Sequence, residues 1–229
     1  MVNSLPFIDV HTHRFHQDNG VVRVQNLMPG GIIPAFSGRN FYSVGLHPWN
    51  IKTVDENSRF LEIMEDALEL DHVIFVGECG LDKLAETNYN EQRRIFEAQA
   101  FMAEEYQKPL IIHCVKAWDD LIGYHVQNRP TVPWILHGYN GSLELTQQLS
   151  KMNFFFSFGE LIFRENSKAT ESVKWLPSDK IFFETDESGE LIEKIYLKGA
   201  ELKNLSLERL KEEVWENFNR LENVSFECE

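Results

Sequence analysis

Short, almost continuously apolar segments recur along the chain and alternate with amphipathic segments. Most of the apolar segments are rich in β-branched or aromatic residues, which is typical of parallel strands buried on both faces. They predict strands at residues 7–10, 21–25, 41–46, 73–77, 109–113, 133–137, 153–158 and 180–185. The amphipathic segments predict helices, among them residues 57–70, 90–107, 117–127 and 142–152, with Ser142 as an N-cap, and a terminal helical pattern over residues 204–229.

Eight strands that alternate with helices predict a TIM (β/α)₈ barrel, and an open doubly wound sheet is the competing fold. The length of 229 residues suits one barrel domain over residues 1–229. The first connection is irregular, because only residues 11–20 separate the first two predicted strands. A crossover between parallel strands usually needs a dozen or more residues and a helix. We therefore predict that the first crossover helix is missing.

Charge and composition exclude several classes of protein. The net charge is −14, with 22 Lys and Arg against 36 Asp and Glu, which argues against broad binding of nucleic acid through phosphate contacts. No apolar run approaches the roughly 18–20 residues of a membrane span, and the N-terminus lacks the order of a signal peptide. Three cysteines without paired spacing favour a reducing compartment. We expect a cytoplasmic protein without a membrane partner.

Histidines and carboxylates follow the predicted strands at their carboxyl ends. In a (β/α)₈ barrel these ends meet at one face, where barrel enzymes carry their active sites. A His-x-His pair on a strand directs both imidazoles to the same side, so both can reach one metal, and other groups can complete a dinuclear site. One strand-end histidine is usually a packing residue, but repetition on different strands favours a site. The residues concerned are His11, His13, His47, Glu78, His113, His137 and Asp186.

These residues lie in motifs that resemble the TatD-related metal-dependent hydrolases, within the amidohydrolase-like barrel superfamily. The motifs are DVHTH at 9–13, VGLHP at 44–48, GECGLD at 77–82, IHC at 112–114, LHGYNGS at 136–142, FFSFG at 155–159, ETD at 184–186 and ENFNRL at 216–221. They follow the family's order over nearly the whole chain. The resemblance implies a TIM-barrel hydrolase with two divalent metals.

The resemblance also implies a role for each candidate ligand. It assigns His11, His13 and Asp186 to one metal, His113 and His137 to the other, and Glu78 to a bridge between them. His47 resembles a family position near the bound phosphate, so we interpret it as a substrate-binding residue.

The chemistry of these residue types agrees with this assignment. Two divalent cations can activate a water molecule and stabilise the attacking and leaving oxygens of a phosphodiester. Glu78 would supply the bridging carboxylate, and Asp186 is placed to act as general base. Imidazole and carboxylate ligands suit zinc or manganese, and availability can select magnesium. Asp82 is predicted to support a ligand, whereas Trp49 and the other tryptophans are predicted to pack rather than to stack on bases.

Two departures from the family pattern concern the rim of the predicted site. After the histidine of the fifth strand, relatives have an arginine and an acidic residue where this chain has Val115 and Lys116. After ETD, the usual Ser-Pro-Tyr-Leu is replaced by residues 187–190, Glu-Ser-Gly-Glu. Lys116 is the nearest basic replacement, so we interpret it as substrate-binding. The basic residues predicted at the rim are Arg14, Lys83, Lys116 and Arg164.

These observations predict a divalent-metal-dependent hydrolase, specifically a TatD-type deoxyribonuclease or phosphodiesterase with Glu78 and Asp186 as catalytic residues. The few basic rim residues favour short substrates or single-stranded DNA ends over extended duplex. Three alternatives stay open. They are a barrel hydrolase of an amide, lactone or ester, a phosphomonoesterase, and a non-catalytic interaction protein that binds metal.

Overall fold

The computed structural model describes residues 5–14, 20–35 and 38–221, and every predicted strand is found there. The strands are β1 Phe7–Thr12, β2 Val21–Leu27, β3 Asn40–Val44, β4 Val73–Asp82, β5 Leu110–Val115, β6 Trp134–Leu136, β7 Phe154–Phe158 and β8 Ile181–Phe183. The helices are α1 Val54–Leu68, α2 Tyr89–Tyr106, α3 Trp118–Asn128, α4 Leu143–Leu149, α5 Lys168–Trp175, α6 Ile192–Lys203 and α7 Leu207–Leu221. Short 3₁₀ helices span Pro48–Asn50, Glu160–Phe163 and Ser178–Lys180.

The strands follow one another in the sheet in the order of the chain, from β1 to β8. Parallel ladders join β1 to β2, β3 to β4, β4 to β5, β5 to β6 and β7 to β8. A parallel bridge between Thr12 and Asp186 connects the end of β1 to the segment after β8. The predicted TIM (β/α)₈ fold class is confirmed. A doubly wound sheet is excluded because its strand order reverses at a switch point.

The prediction of a missing first crossover helix falls mostly on residues 15–19, which lie outside the described residues. The described residues of this connection, His13, Arg14 and Gly20, are not helical. The predicted absence of a helix in this connection therefore stays a prediction.

The chain divides into two compact units, one formed by Asn26–Leu136 and one by Met1–Gln25 with His137–Glu229. The prediction of a single domain over residues 1–229 stays a prediction. In the described part of the chain, no helix is both long enough and apolar enough to cross a bilayer.

In the unit formed by Asn26–Leu136, glycines allow three strands to approach closely. A Cβ on Gly45 would lie 2.4 Å from the Cα of Gly77, and a Cβ on Gly80 would lie 1.9 Å from the carbonyl oxygen of His113. Gly77 and Gly80 also have φ angles of +133° and +148°, which L side chains rarely adopt. Glycine at these positions therefore brings the segment after β3, β4 and β5 together, and these elements carry His47, Glu78 and His113.

In the other unit, aromatic side chains of β7 and β8 fill the interior. Phe156, Phe158 and Phe183 are fully buried, and Tyr139 packs edge-on against Phe156 with 4.8 Å between ring centroids. Asn217 of α7, from the ENFNRL motif, donates from Nδ2 to the carbonyl of Ile181 at 2.9 Å. This motif therefore ties the last helix to the start of β8.

Side-chain caps define where several helices begin. Ser142 accepts a hydrogen bond from the backbone N–H of Leu145 at 3.3 Å, so the predicted N-cap of α4 is confirmed. Thr53 and Glu56 form a capping box at the start of α1. Helices α5 and α6 were not singled out from the sequence.

Candidate metal centre

The first cluster of candidate ligands contains the His-x-His pair and Asp186. The Oδ1 atom of Asp186 lies 3.6 Å from Nε2 of His11 and 3.5 Å from Nε2 of His13. The side chain of His11 is fully buried, whereas those of His13 and Asp186 are 32% and 39% exposed. The three predicted ligands of one metal are thus brought together, with one side open to solvent.

Backbone hydrogen bonds hold Asp186 against the end of β1. The N–H of Asp186 donates to the carbonyl of His11 at 3.0 Å, and the N–H of His13 donates to the carbonyl of Asp186 at 3.2 Å. Asp186 has a φ of 49°, in the left-handed region that aspartate and asparagine tolerate better than most residues. These backbone hydrogen bonds therefore fix the part of the backbone from which the carboxylate of Asp186 projects.

Behind this cluster, buried Asp9 holds the residue that precedes Asp186. The backbone N–H of Thr185 donates to Asp9 Oδ1 at 2.9 Å, and its hydroxyl donates to Oδ2 at 2.8 Å. Burial raises the pKa of Asp9 to about 7, although the hydrogen bonds from Thr185 and the charge of Arg23 lower it. Asp9 is therefore a structural support of the segment that carries Asp186.

His137 lies beside His11, with ring centroids 4.5 Å apart, and against a carboxylate that the sequence analysis did not single out. This is Glu184, which is fully buried, with Oε1 3.6 Å from Nδ1 of His137. Burial alone would raise the pKa of Glu184, but the hydrogen bond and charge of His137 lower it below its usual value. Glu184 also accepts from the N–H of Gly138 at 2.5 Å, so it orients the segment after β6. In the sequence, Glu184 could have been identified as a site residue from its place in the ETD motif.

The second cluster is centred on Glu78, which is 4% exposed. Its Oε1 atom lies 3.1 Å from Nε2 of His47 and 3.2 Å from Nδ1 of His113. The backbone N–H of Glu78 donates to Oδ1 of Asn26 at 2.5 Å. The structure therefore joins three predicted site residues around one carboxylate oxygen.

The hydrogen bonds of His47 indicate its tautomer. Its Nδ1 accepts from the backbone N–H of Trp49 at 3.1 Å, so in the neutral ring the proton is on Nε2, which faces Glu78. An Nε2–H donates to a carboxylate or phosphate oxygen and does not coordinate a metal. The role of His47 in substrate binding stays a prediction.

Asp82 lies on the far side of His113, as predicted for a residue that supports a ligand. Its Oδ2 atom is 3.4 Å from Nε2 of His113 and accepts from Nε1 of Trp49 at 2.7 Å. Burial by itself raises the pKa of Asp82, but hydrogen bonds from Trp49 and from the N–H of Leu84 hold it below the ordinary value. A carboxylate behind a ligating imidazole fixes the ring's orientation and tautomer.

Four strands, β1, β2, β4 and β5, continue beyond their predicted ends. Strand β4 continues to Asp82, so Glu78 lies inside it and not after it. Its ladder with β5 resumes at Cys79 after a register shift, which extends the strand beyond the apolar run. His11 and His113 likewise lie within β1 and β5. Asp186 follows β8 as predicted, whereas His137, predicted as the last residue of the sixth strand, directly follows β6.

The donor atoms suit a divalent metal ion. In each of two groups, the atoms lie within 4.8 Å of one another; the groups are His11, His137 and Asp186, and His47, Glu78 and His113. In the second group the Nε2–H of His47 faces Glu78, so the metal donors there are Glu78 and His113. Two ligands about 2.1 Å from a tetrahedral ion are about 3.4 Å apart, which is close to the separations of 3.5 and 3.6 Å around Asp186. Imidazole and carboxylate donors favour zinc or manganese. The assignment of individual ligands to two metals stays a prediction.

The predicted basic residues differ in how far they are already paired. Lys83 lies 2.6 Å from Asp120, and Arg14 donates to the carbonyl of Glu187 at 2.9 Å. Within residues 5–14, 20–35 and 38–221, neither Lys116 nor Arg164 forms an ion pair, and both are exposed. Lys116 directly follows β5, with a φ of 52°.

Comparisons with known proteins show the family of this chain. Residues 31–223 match the family model described as TatD related DNase. The chain belongs to the TatD-related DNase family. A metal-dependent hydrolase of Bacillus subtilis, YabD, named as uncharacterized, is 29% identical over 201 residues, which cover 81% of this chain and 78% of that protein.

Two further members of the TatD family extend the comparison. A putative deoxyribonuclease, a TATDN1 homolog of Enterocytozoon bieneusi, is 30% identical over 166 residues, which cover 69% of this chain and 58% of that protein. The crystal structure of YjjV, a TatD homolog of Escherichia coli, superposes with a TM-score of 0.80 at 21% identity, over 96% of this chain and 98% of that one. The chain is thus a member of a metal-dependent hydrolase family with the TIM-barrel fold.

Proposed function

We propose that this TatD-family hydrolase is a phosphodiesterase that acts on short or single-stranded DNA, and that it uses two divalent metal ions. The observation that carries the proposal is the convergence of imidazole and carboxylate groups at the ends of parallel strands, in two clusters, around Asp186 and around Glu78. The name of the TATDN1 homolog supports the choice of DNA.

The chain's own residues have distinct roles in this proposal. His11, His13, His113, His137, Glu78 and Asp186 would hold the metals, which when bound would lower the pKa of water and polarise the phosphate. Asp186 accepts the proton of the attacking water, since its carboxylate is part-exposed and held at a fixed position by β1. His47 would bind a phosphate oxygen through its Nε2–H, which in the structure faces Oε1 of Glu78 at 3.1 Å. We also propose that the protein acts in the cytoplasm and without a membrane.

Metal replacement followed by a substrate panel tests this function. The purified protein is analysed for metals, stripped with a chelator, reloaded separately with zinc, manganese and magnesium, and assayed on a nitrophenyl phosphodiester, the matching monoester, and carbonyl esters and lactones. We expect hydrolysis of the diester to be lost with the metal and restored by reloading. Full activity of the metal-free protein, or a preference for monoesters or carbonyl compounds, would contradict the proposal.

Substrate length is expected to matter because few phosphates can be neutralised. Each phosphate contact to B-form DNA steepens the log–log dependence of binding on salt by about 0.9, and each contact to a single strand by about 0.7. Since Lys83 is already paired, we expect a shallow slope and a preference for a short single strand over a long duplex. Binding and cleavage of both substrates across a salt series measure this. Tight duplex binding with a steep slope would show that the charge argument is wrong.

Lys116→Ala examines one of these contacts. We expect KM to rise several-fold and the slope of the log–log salt dependence of single-strand binding to fall by about 0.7. Metal content should not change. The reason is that the side chain of Lys116 is exposed and forms no ion pair in the described structure. Lys83→Ala is the matched control, since Asp120 already neutralises this lysine at 2.6 Å, and its effect should be smaller. Equal effects of the two variants would count against a specific role of Lys116.

A further inference from the structure

Trp49 is a large aromatic side chain that the structure leaves exposed beside the cluster around Glu78. The sequence predicts a core or helix-packing residue here, and its exposed fraction of 62% shows that Trp49 is not in the core. Its ring meets that of His47 edge-on, with centroids 5.0 Å apart, and that of His113 with centroids 5.9 Å apart. An indole surface therefore borders the two imidazoles that face Glu78.

The ring is held in place although it is exposed. Its Nε1–H donates to Asp82 Oδ2 at 2.7 Å, and Asp82 Oδ1 accepts from the N–H of Leu84 at 2.7 Å. Asp82 is buried, and its own N–H donates to Gln92 at 2.9 Å. The polar edge of the indole is thus anchored to a rigid carboxylate, so little rotamer entropy remains to be lost when a ligand covers the ring.

We propose that Trp49 is a specificity-determining residue that stacks on a nucleobase of the substrate. The proposal rests on the phosphodiesterase function and deepens it, because it names the side chain that binds a base of the DNA substrate. Base–aromatic stacking tolerates every base, since each has a π-face. A base on Trp49 would adjoin the imidazole of His47, which is the proposed binding residue for the adjacent phosphate.

The contact with Asp82 offers a different explanation, in which Trp49 only orients His113 through Asp82. The two explanations differ in what each substitution should do. Trp49→Phe removes the Nε1–H but keeps an aromatic face, whereas Trp49→Leu removes both. Stacking needs the face, and orientation of Asp82 needs the N–H.

The test compares two phosphodiesters with each variant. One is a deoxydinucleotide, and the other has the same sugar–phosphate backbone with both bases replaced by hydrogen. For Trp49→Leu we expect KM for the dinucleotide to rise about tenfold relative to KM for the baseless diester. For Trp49→Phe this ratio should stay within about threefold of the wild-type ratio. Trp175→Leu is the matched control, because Trp175 is 43% exposed at the end of a helix that carries no site residue.

An equal rise of KM for both diesters, or an equal effect of Phe and Leu, would overturn the proposal. A second measurement does not depend on turnover. Deoxynucleoside monophosphate is titrated into metal-free protein, and we expect quenching of tryptophan fluorescence that disappears in Trp49→Phe, while Trp175→Phe retains it. If no diester is hydrolysed with any metal, the phosphodiesterase function has failed. In that case, quenching that depends on Trp49 would still support stacking, and the absence of such quenching would overturn the stacking proposal.

Discussion

Replacing Asp186 with asparagine is expected to lower turnover by about 10²–10⁴-fold while metal content falls much less. The amide keeps an oxygen that can face His11 and His13, now 3.6 and 3.5 Å from Oδ1, but it cannot accept a proton. Asparagine also tolerates the φ of 49° at this position, where alanine would be strained. Single-turnover kinetics and elemental analysis of the same preparation measure the two quantities.

The matched control for this variant is Asp119→Asn, at an exposed position in the first turn of α3. It makes the same chemical change outside the site and should leave turnover near that of the unmodified protein. If turnover and metal content fall in parallel in Asp186→Asn, the residue acts only as a ligand and the proton acceptor lies elsewhere.

Replacing Glu78 with glutamine is expected to lower both metal affinity and turnover, each by about 10–100-fold. Glu78 is a buried carboxylate with one oxygen 3.1 Å from His47 and 3.2 Å from His113. An amide of the same shape removes the negative charge that offsets a bound cation, while the packing of β4 is retained. Excess metal should restore part of the turnover.

Glu97→Gln is the matched control for Glu78→Gln. Glu97 lies on α2 in an exposed pair with Arg93 at 3.8 Å, and such pairs contribute little to stability. Circular dichroism and thermal unfolding show whether each variant is folded. Wild-type activity and metal content in a folded Glu78→Gln protein would remove this residue from the site.

The order of strands and helices was largely predictable from local sequence. Continuous apolar runs such as residues 73–77 identify buried parallel strands, because both faces of such strands are covered. The end of β4 was not predictable in this way, since GECGLD is rich in glycine and polar residues. There the strand persists because it pairs with β5 from Cys79 to Asp82, and because glycine allows the close approach at His113.

The candidate ligands were also predictable, because strand-end histidines and carboxylates stand out against apolar strands. The residues that orient them were harder to find. Glu184 and His137 are separated by 47 positions in the sequence, and Trp49 and Asp82 by 33 positions. Neither contact therefore produces a local sequence pattern. Trp49 was predicted to be a core or helix-packing residue, but it is 62% exposed and its Nε1–H donates to Asp82.

The sequence by itself determined which segments are strands and helices and which residue types stand at the strand ends, because burial on both faces imposes an apolar run that is interrupted where the strand meets solvent. The tertiary structure decided the rest. Strand register sets the separations of Asp186 from His11 and His13, and long-range hydrogen bonds set the ring orientations of His47, His113 and Trp49. These depend on atoms that are distant in the chain and become neighbours only when the strands pair.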